Sequence, residues 1–305
     1  MASPIGQRPK ESIHRTVLLK ETIDGLNLKP DPDSVVLDAT FGGGGHSMEI
    51  LRRFPRAKVI ALDQDKNAWK KNDLLAQAGS RISFHNENFR NLDKVLKSEK
   101  VDGVIFDLGL SSDQLENSGR GFSFMKNEPL LMTMKENPSP EDVTAKEVVN
   151  TWEEKNLADI IYGYGEERYA RRIAKEIVEV RKEAKIETTS DLVKIISNAV
   201  PAAYRKGRLH FATRTFQAIR IAVNDELRVL QTGLEKGFDI LKGGGRMSVI
   251  SFHSLEDRIV KKFFKAREKE GKAFLINKKI ILASKEEVKN NPRARSAKLR
   301  ILEKR

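Results

Sequence analysis

Cysteine is absent from all 305 residues of the chain. Its absence excludes disulfides, zinc sites with thiolate ligands, and every mechanism that uses a cysteine nucleophile. Histidine is scarce too, and the five histidines have no ligand-like spacing: His14, His46, His85, His210 and His253. We therefore expect no metal site.

Long apolar runs are also missing. No stretch is long enough to span a bilayer, and the first twelve residues, MASPIGQRPKES, lack the pattern of a signal peptide. These features predict a soluble, cytoplasmic protein with no membrane partner. The length is enough for one large or two modest domains with a real core.

Acidic residues are scarce near the C-terminus. Residues 246–305 contain 18 Lys or Arg against 7 Asp or Glu, whereas the rest of the chain is almost balanced. Lysine and arginine give salt-sensitive affinity for nucleic-acid phosphates, so Arg293, Arg295 and Arg300 are candidate RNA contacts. An ordinary solvated basic face would have the same composition.

A glycine-rich stretch, SVVLDATFGGGGHS at residues 34–47, is the most informative local pattern. Its short apolar run is typical of a buried parallel strand, and the four glycines precede a segment with helical periodicity. Glycines at this point let the backbone approach a ligand at the helix N-terminus. The stretch predicts a strand, a turn and a helix that bind a nucleotide-like molecule.

Two cofactors compete for this loop. The dinucleotide fingerprint G-x-G-x-x-G/A fails because Ser47 occupies its sixth position. The acidic-x-x-x-G-x-G pattern of S-adenosylmethionine-dependent methyltransferases fits from Asp38 to Gly44. Asp63 ends a second predicted strand and could accept hydrogen bonds from a ribose, which both cofactors have. The loop as a whole favours S-adenosylmethionine over NAD.

Two further strands bring more side chains to the same edge. Residues 81–85 form a short strand followed by Phe89, and the strand DGVIFD ends at Asp107. Ligands of open parallel sheets bind at the carboxyl ends of the strands. We therefore expect Asp38, Asp63, Phe89 and Asp107 to face one crevice. Phe89 would lie against an adenine or pack in the core.

The fifth strand, predicted at residues 246–252, follows only after some 138 residues, whereas a crossover needs about a dozen. Helical spacing over residues 213–241 predicts the crossover helix. The sequence thus predicts an α/β fold with a mostly parallel, seven-stranded sheet and an inserted all-helical domain at residues 113–208. Residues 1–112 and 209–305 would form the two parts of the sheet domain.

Several long motifs occur in order along the chain: HRTVLLKE, TFGGGGHS, DLGLSSDQL, GYGEERYARRIAKEIV, ATRTFQAIRIAVNDEL, LKGGGRMSVISFHSLEDRIVKKFF and NPRARSAKLR. In these motifs the chain resembles the RsmH (MraW) family of bacterial methyltransferases, which modify N4 of a decoding-centre cytidine in 16S ribosomal RNA. The resemblance implies a class I (Rossmann-like) S-adenosyl-L-methionine-dependent methyltransferase fold. It also implies 16S rRNA or the small ribosomal subunit as partner. A homodimer is one state that the chain could adopt.

The resemblance also implies roles for individual residues. Gly44, Gly45 and His46 would lie at the methionine and ribose end of the cofactor, with Asp63 on the ribose and Phe89 by the adenine. Asp107 and Gln114 would lie near the amino group and the reactive methyl. One segment departs from the family: G-P-L-D-M-R-M-D is replaced by EPLLMTMK at residues 128–135, with Leu131, Thr133 and Lys135 in place of acid, arginine and acid. The departure bears on substrate placement more than on cofactor binding.

Cytosine can be methylated at C5 or at N4. The C5 route ordinarily needs a cysteine, so this chain favours N4. Asp107, or a carbonyl of residues 108–111, could accept the amine hydrogens and stabilise the charge that develops on nitrogen. His253 is a candidate for substrate contact or proton removal, although a structural histidine would fit the same position. The alternative function is a non-catalytic RNA-binding or ribosome-assembly protein that retains the fold.

Overall fold

The computed structural model describes residues 16–29, 33–66, 68, 78–136 and 138–305. The sequence also predicts disorder at residues 1–12 and a polar helix from about Lys66 to Ala78. The first of these segments and most of the second lie outside the described ranges. The strands are β1 (Val35–Asp38), β2 (Lys58–Leu62), β3 (Ile82–His85), β4 (Val101–Asp107), β5 (Leu241–Ser251), β6 (Ala273–Leu275), β7 (Ile281–Leu282) and β8 (Lys298–Lys304).

The described α-helices precede, connect or are inserted between these strands. They are α1 (Leu19–Leu26), α2 (Gly45–Arg53), α3 (Leu92–Leu96), α4 (Ser112–Asn117), α5 (Ala145–Thr151), α6 (Glu154–Gly165), α7 (Ala170–Glu183), α8 (Thr189–Ala199), α9 (Ala202–Arg205), α10 (Thr213–Asn224), α11 (Glu226–Ile240), α12 (Ser254–Lys269) and α13 (Lys285–Asn290).

The strands form one sheet in the order β3-β2-β1-β4-β5-β8-β6. The first five are parallel, and β8 runs antiparallel to β5. The prediction of a mostly parallel sheet is therefore confirmed, but the sheet has eight strands and not the predicted seven. The additional strand arises because the segment between α12 and α13 forms two short strands, β6 and β7, which both pair with β8.

Both faces of the sheet are covered, which explains the continuous apolar runs in its strands. Side chains alternate along a strand, so Val36 joins one buried cluster and Leu37 joins the other. In β4, Ile105 lies in the first cluster, while Val104 and Phe106 lie in the second. The sequence could not alternate polar and apolar residues here without burying polar groups.

A separate apolar cluster extends from Phe122 to Ile219 and is built from the helices between β4 and β5. The predicted single crossover helix over residues 213–241 is wrong. The chain breaks at Asp225, which has a left-handed φ of 50°. Helix α10 contributes Phe216 and Ile219 to the helical cluster, whereas α11 packs Leu230, Leu234 and Phe238 on the sheet. Both halves have an apolar stripe, so periodicity could not reveal the break.

Candidate active site

A crevice opens at the carboxyl edge of the sheet, where β1 and β4 are neighbours and the strand order reverses. Ligands of open α/β sheets bind at such a switch point. The predicted residues Gly45, His46, Asp63, Phe89, Asp107 and Gln114 all line this crevice. Gly44 and His253 are not among its lining residues, and neither is Asp38, which the sequence had also predicted to face the crevice.

The glycine loop turns the chain from β1 into α2. Gly42 and Gly44 have positive φ values of 52° and 77°, which other residues adopt only with strain. The amide of Gly44 donates to the carbonyl of Phe41 at 2.8 Å. Gly44 therefore stabilises the turn without lining the crevice. Gly45 begins the helix, and a Cβ there would lie 1.7 Å from Oγ1 of Thr16, which also lines the crevice. The glycines therefore let two backbone segments approach closely beside the helix N-terminus.

Asp63 follows the last residue of β2 and is held by two backbone amides. Its Oδ2 accepts from Gly42 N and its Oδ1 from Asp65 N, both at 2.8 Å. Burial raises the pKa of Asp63 to about 6, and these two hydrogen bonds oppose the shift. Each carboxylate oxygen has a second lone pair, so the group can still accept from a ribose hydroxyl.

Asp38, at the end of β1, stabilises the glycine loop through hydrogen bonds. Its Oδ2 accepts from the hydroxyl of Ser47 at 2.6 Å and its Oδ1 from Thr40 N at 3.2 Å. Burial raises the pKa of this carboxyl group, and His46 acts in the opposite direction. The hydroxyl of Thr40 in turn accepts from Asp107 N at 2.6 Å. Asp38 and Thr40 thus tie the glycine loop to the ends of β1 and β4.

His46 and Asp107 face each other across the crevice, with Nε2 and Oδ2 3.4 Å apart. His46 is buried, yet neither ring nitrogen has a hydrogen-bond partner among the described residues, and neither does Oδ1 of Asp107. Buried polar atoms normally have partners, so these donors and acceptors fit a polar ligand. The donor set suits the amino, carboxylate and ribose groups of S-adenosylmethionine.

Phe89 follows β3 in a short turn of 3-10 helix and forms an apolar wall of the crevice. Its ring meets that of Phe106 edge-on, with centroids 5.3 Å apart. On the side of helix α11, Gly233 leaves room for it: a Cβ on Gly233 would lie 2.5 Å from Cδ2 of Phe89. The ring therefore both packs against the core and faces the crevice, and the two sequence interpretations are compatible.

Gln114 occupies the third position of α4 and completes a capping box with Ser111. Its amide N–H donates to Ser111 Oγ, and its Oε1 accepts from Ser111 N. Its Nε2 donates to Oδ2 of Asp65 at 3.3 Å. The same carboxylate oxygen is 2.5 Å from Nη2 of the buried Arg120. The sequence reasoning missed this buried ion pair, because its partners are far apart in the chain.

Arg120 also fixes the segment that departs from the family. Its Nη1 donates to the carbonyls of Thr133 and Met134, at 3.3 and 2.8 Å. From the other side, Asn224 Nδ2 donates to the carbonyl of Met132 and Asn224 Oδ1 accepts from Met134 N, each at 2.8 Å. These bonds use backbone atoms of the segment, so they hold its path over the crevice whatever its side chains are. The side chain of Thr133 adds one bond, since its hydroxyl accepts from Lys135 N at 3.2 Å.

His253 caps a helix. It precedes α12, and its Nδ1 accepts from Glu256 N at 3.4 Å, while its Nε2 lies 3.2 Å from Glu256 Oε1. The sequence also predicts a helix N-cap at Ser254, with Asp257 three residues on. The observed cap lies one residue earlier, because a histidine takes the place of the usual hydroxyl. His253 thus has the structural role that the sequence offered as the alternative to substrate contact. Its partner Glu256, and not His253, lines the crevice.

Two acids in the crevice wall, the buried Glu256 and the half-buried Glu226, gave no signal in the sequence. Glu256 accepts from Phe252 N at 2.9 Å, and its pKa is lowered because hydrogen bonds and the charges of His253 and Arg220 outweigh burial. Glu226 pairs with both Nε and Nη2 of Arg220. Ligand atoms of Glu226, His253 and Glu256 lie within 4.8 Å of one another, but Arg220 already supplies the countercharge.

In the basic C-terminal segment, residues 246–305, two of the three arginines predicted to contact RNA form ion pairs with acidic side chains. Arg300 lies in β8, is half-buried and donates to both carboxylate oxygens of Asp257, at 2.7 and 3.2 Å. Arg293 lines the crevice and pairs with Glu116. Arg295 is exposed. Arg300 is thus a poor phosphate ligand, since its guanidinium is already neutralised.

No helix in the described ranges is long and apolar enough to cross a membrane. The model of the MraW methylase family matches residues 11–305. Two proteins called ribosomal RNA small subunit methyltransferase H, from the Kyoto and Loch Maree strains of Clostridium botulinum, are each 46% identical over 95% of this chain and 98% of their own length. The chain is also similar to the crystal structure of an rRNA methylase from Streptococcus thermophilus, over 96% of this chain and 99% of that one. The identity is 14% and the TM-score is 0.46, so the assignment of the fold rests on the strand order described above.

Proposed function

The chain belongs to the MraW methylase family, and from that membership we propose that it is an S-adenosylmethionine-dependent methyltransferase acting on N4 of a cytidine in the decoding centre of small-subunit (16S) ribosomal RNA. One observation carries the proposal: the carboxylate of Asp107 lies beside the glycine loop with its buried Oδ1 unpartnered among the described residues. The expected location is the cytoplasm.

The residues that would hold the cofactor come from four strand ends. Gly45 and His46 would bind its methionine and ribose end, with Gly44 shaping the turn. Asp63 would accept from ribose hydroxyls, and Phe89 would lie against the adenine. Gln114 would contribute at the amino group. When bound, S-adenosylmethionine supplies an electrophilic sulfonium methyl group.

Asp107 would act on the nucleophile. The lone pair of cytosine N4 is conjugated with the ring, so an acceptor at the amine hydrogens increases its electron density and fixes its direction. The Oδ1 atom of Asp107 can accept one such hydrogen. It can also take the proton that N4 loses when the new C–N bond forms. Nε2 of His46 lies 3.4 Å from the other carboxylate oxygen.

We also propose that the helical unit, predicted from the sequence at residues 113–208, forms the substrate-recognition domain between the two parts of the methyltransferase domain. Its core includes side chains of α10, so the functional unit extends to Asn224. The pairing of Glu166 with Ser254 and Arg258 joins it to the crevice edge. A homodimer stays a prediction, which sedimentation velocity tests.

The test uses purified protein, S-adenosylmethionine with a labelled methyl group, and small subunits from cells that lack this gene. We expect N4-methylcytidine in the digested RNA by mass spectrometry and a loss of at least about a hundredfold in rate for Asp107→Asn. Cofactor binding by calorimetry without methyl transfer would support the non-catalytic alternative. Label at C5 would refute the assignment to N4.

A further inference from the structure

The first half of helix α7 presents cations that the protein does not neutralise. Arg171, Arg172 and Lys175 are spaced to lie on one face of the helix, and Arg168 precedes them by one turn. All four are exposed, and none forms an ion pair with another described residue. In the second half of the same helix, by contrast, Lys182 pairs with Glu179. Unpaired charge is thus concentrated at the start of α7.

A second segment meets this face through two aromatic rings. The guanidinium of Arg168 lies 4.9 Å from the ring centroid of Tyr169 and 5.0 Å from that of Tyr204. The two rings meet edge-on with centroids 4.9 Å apart. Tyr204 belongs to α9, and the exposed Lys206 follows it. We define the arginine–tyrosine patch by its six members: Arg168, Tyr169, Arg171, Arg172, Tyr204 and Lys206.

A buried carboxylate holds the two rings in place. Glu167 is fully buried, and its Oε2 accepts from the hydroxyl of Tyr204 at 2.6 Å. Its Oε1 accepts from the amide of Tyr169 at 2.9 Å. The rings are half-buried, so they are fixed on one side and open on the other. A ring fixed in this way loses little entropy when a planar ligand stacks on it.

The patch is joined to the crevice edge through Glu166. The carboxylate of Glu166 accepts from Ser254 Oγ at 2.9 Å and from Arg258 Nη2 at 3.1 Å. Ser254 begins the helix that follows β5, close to Phe252, which lines the crevice. Arg168 is two residues from Glu166. A polynucleotide whose target base enters the crevice would therefore have its neighbouring nucleotides near the patch.

We propose that the arginine–tyrosine patch binds the single-stranded RNA that flanks the target cytidine, with the cations on phosphates and an unstacked base against the Arg168–Tyr204 surface. This inference rests on the proposed function, since it supplies the RNA contact that function needs. Cations alone would fit any polyanion. Aromatic rings and a guanidinium plane beside them are the means by which proteins bind unpaired bases. An acidic protein surface would gain nothing from the rings.

The test compares two triple variants with the same loss of charge. The patch variant carries Arg168→Gln, Arg171→Gln and Arg172→Gln. The control carries Lys261→Gln, Lys262→Gln and Lys265→Gln, which are exposed on α12. Equilibrium binding of a short cytidine-containing single-stranded RNA is measured over a salt series, without turnover. Calorimetry with S-adenosylmethionine reports whether each variant keeps its sheet domain folded.

We expect the patch variant to bind the RNA at least about tenfold more weakly. Its salt slope should be smaller by about 2, because each cation that neutralises a phosphate of single-stranded RNA adds roughly 0.7 to the slope. The control should stay within about twofold of wild type, and cofactor affinity should be unchanged in both. Equal losses of affinity in the patch and control variants would overturn the proposal. So would polyglutamate of matched length competing as well as the RNA.

The outcomes separate the two proposals. If the wild type binds RNA through the patch but transfers no methyl group, the proposed function fails and the patch proposal stands. If methyl transfer occurs with no dependence on the patch, the reverse holds. If the triple variant loses cofactor binding, the single variant Arg171→Gln tests the proposal in its place, because Arg171 forms no ion pair with a described residue. The salt slope of RNA binding by this variant should be smaller by about 0.7. An unchanged slope would refute the proposal.

Discussion

Replacing Gly233 by alanine should move a wall of the crevice at the carboxyl edge of the sheet. The new Cβ would lie 2.5 Å from Cδ2 and 2.9 Å from Cε2 of Phe89, and 3.4 Å from Cε1 of Phe106. Carbon atoms normally keep about 3.5 to 4.0 Å apart, so the ring must withdraw by roughly 1 Å. Phe106 packs against its edge, and the remaining open direction is into the crevice.

Two energies oppose each other in this variant. Alanine favours a helix over glycine by about 1 kcal/mol, whereas overpacking a core costs about 1 to 3 kcal/mol. Gly163→Ala in α6 is the matched control, because a Cβ there meets nothing within 4 Å. The propensity gain is common to both, so their free energies of unfolding should differ by about 1 to 3 kcal/mol in urea denaturation.

The displaced ring should also lower the affinity for S-adenosylmethionine by up to about tenfold, the value of one aromatic contact, as measured by calorimetry. Phe89→Leu in the Gly233→Ala background should recover part of the lost stability. If Gly233→Ala were as stable as Gly163→Ala and bound the cofactor like wild type, Phe89 would not be the crevice wall.

Three other perturbations test the site and its supports. Arg120→Met removes the cation that pairs with the buried Asp65, so it should lower the free energy of unfolding, measured in urea, by about 3 to 5 kcal/mol. A loss under about 1 kcal/mol would argue against the pair. The pKa of Asp63, about 6, means that its protonation in the free protein should weaken S-adenosylmethionine binding by about tenfold between pH 7.5 and pH 5; a flat profile would remove Asp63 from the ribose site. Because this pKa lies above the ordinary value, the folded state holds the proton more tightly, and the contribution of Asp63 to stability should fall as the pH rises from about 4 to about 6. Asp225→Gly should relieve the left-handed φ of 50° and stabilise the protein by up to about 1 kcal/mol, whereas a loss would show that the exposed pair with Arg90 matters more than the strain.

The local pattern of the sequence determined the half of the crevice that the glycine loop and the strand ends form. The acid, the four glycines and His46 lie within one strand, turn and helix, so their spacing alone fixes how they are arranged. Asp63, Phe89 and Asp107 each follow or end a strand, and parallel strands end at the same edge. The insertion followed from chain length, because a crossover of 138 residues cannot be one helix.

Only the tertiary structure decided the rest, since long-range pairs leave no periodic trace. The pair between Asp65 and Arg120 spans 55 residues, and Arg120 also donates to two backbone carbonyls of the segment whose side chains depart from the family. The break at Asp225 depends on which core each half of the helix can reach. His253 was placed near the crevice by sequence, but the cap geometry turned it toward Glu256 and left the carboxylates of Glu226 and Glu256 in the crevice wall. A side chain's role there is set by the partners that the fold brings to it.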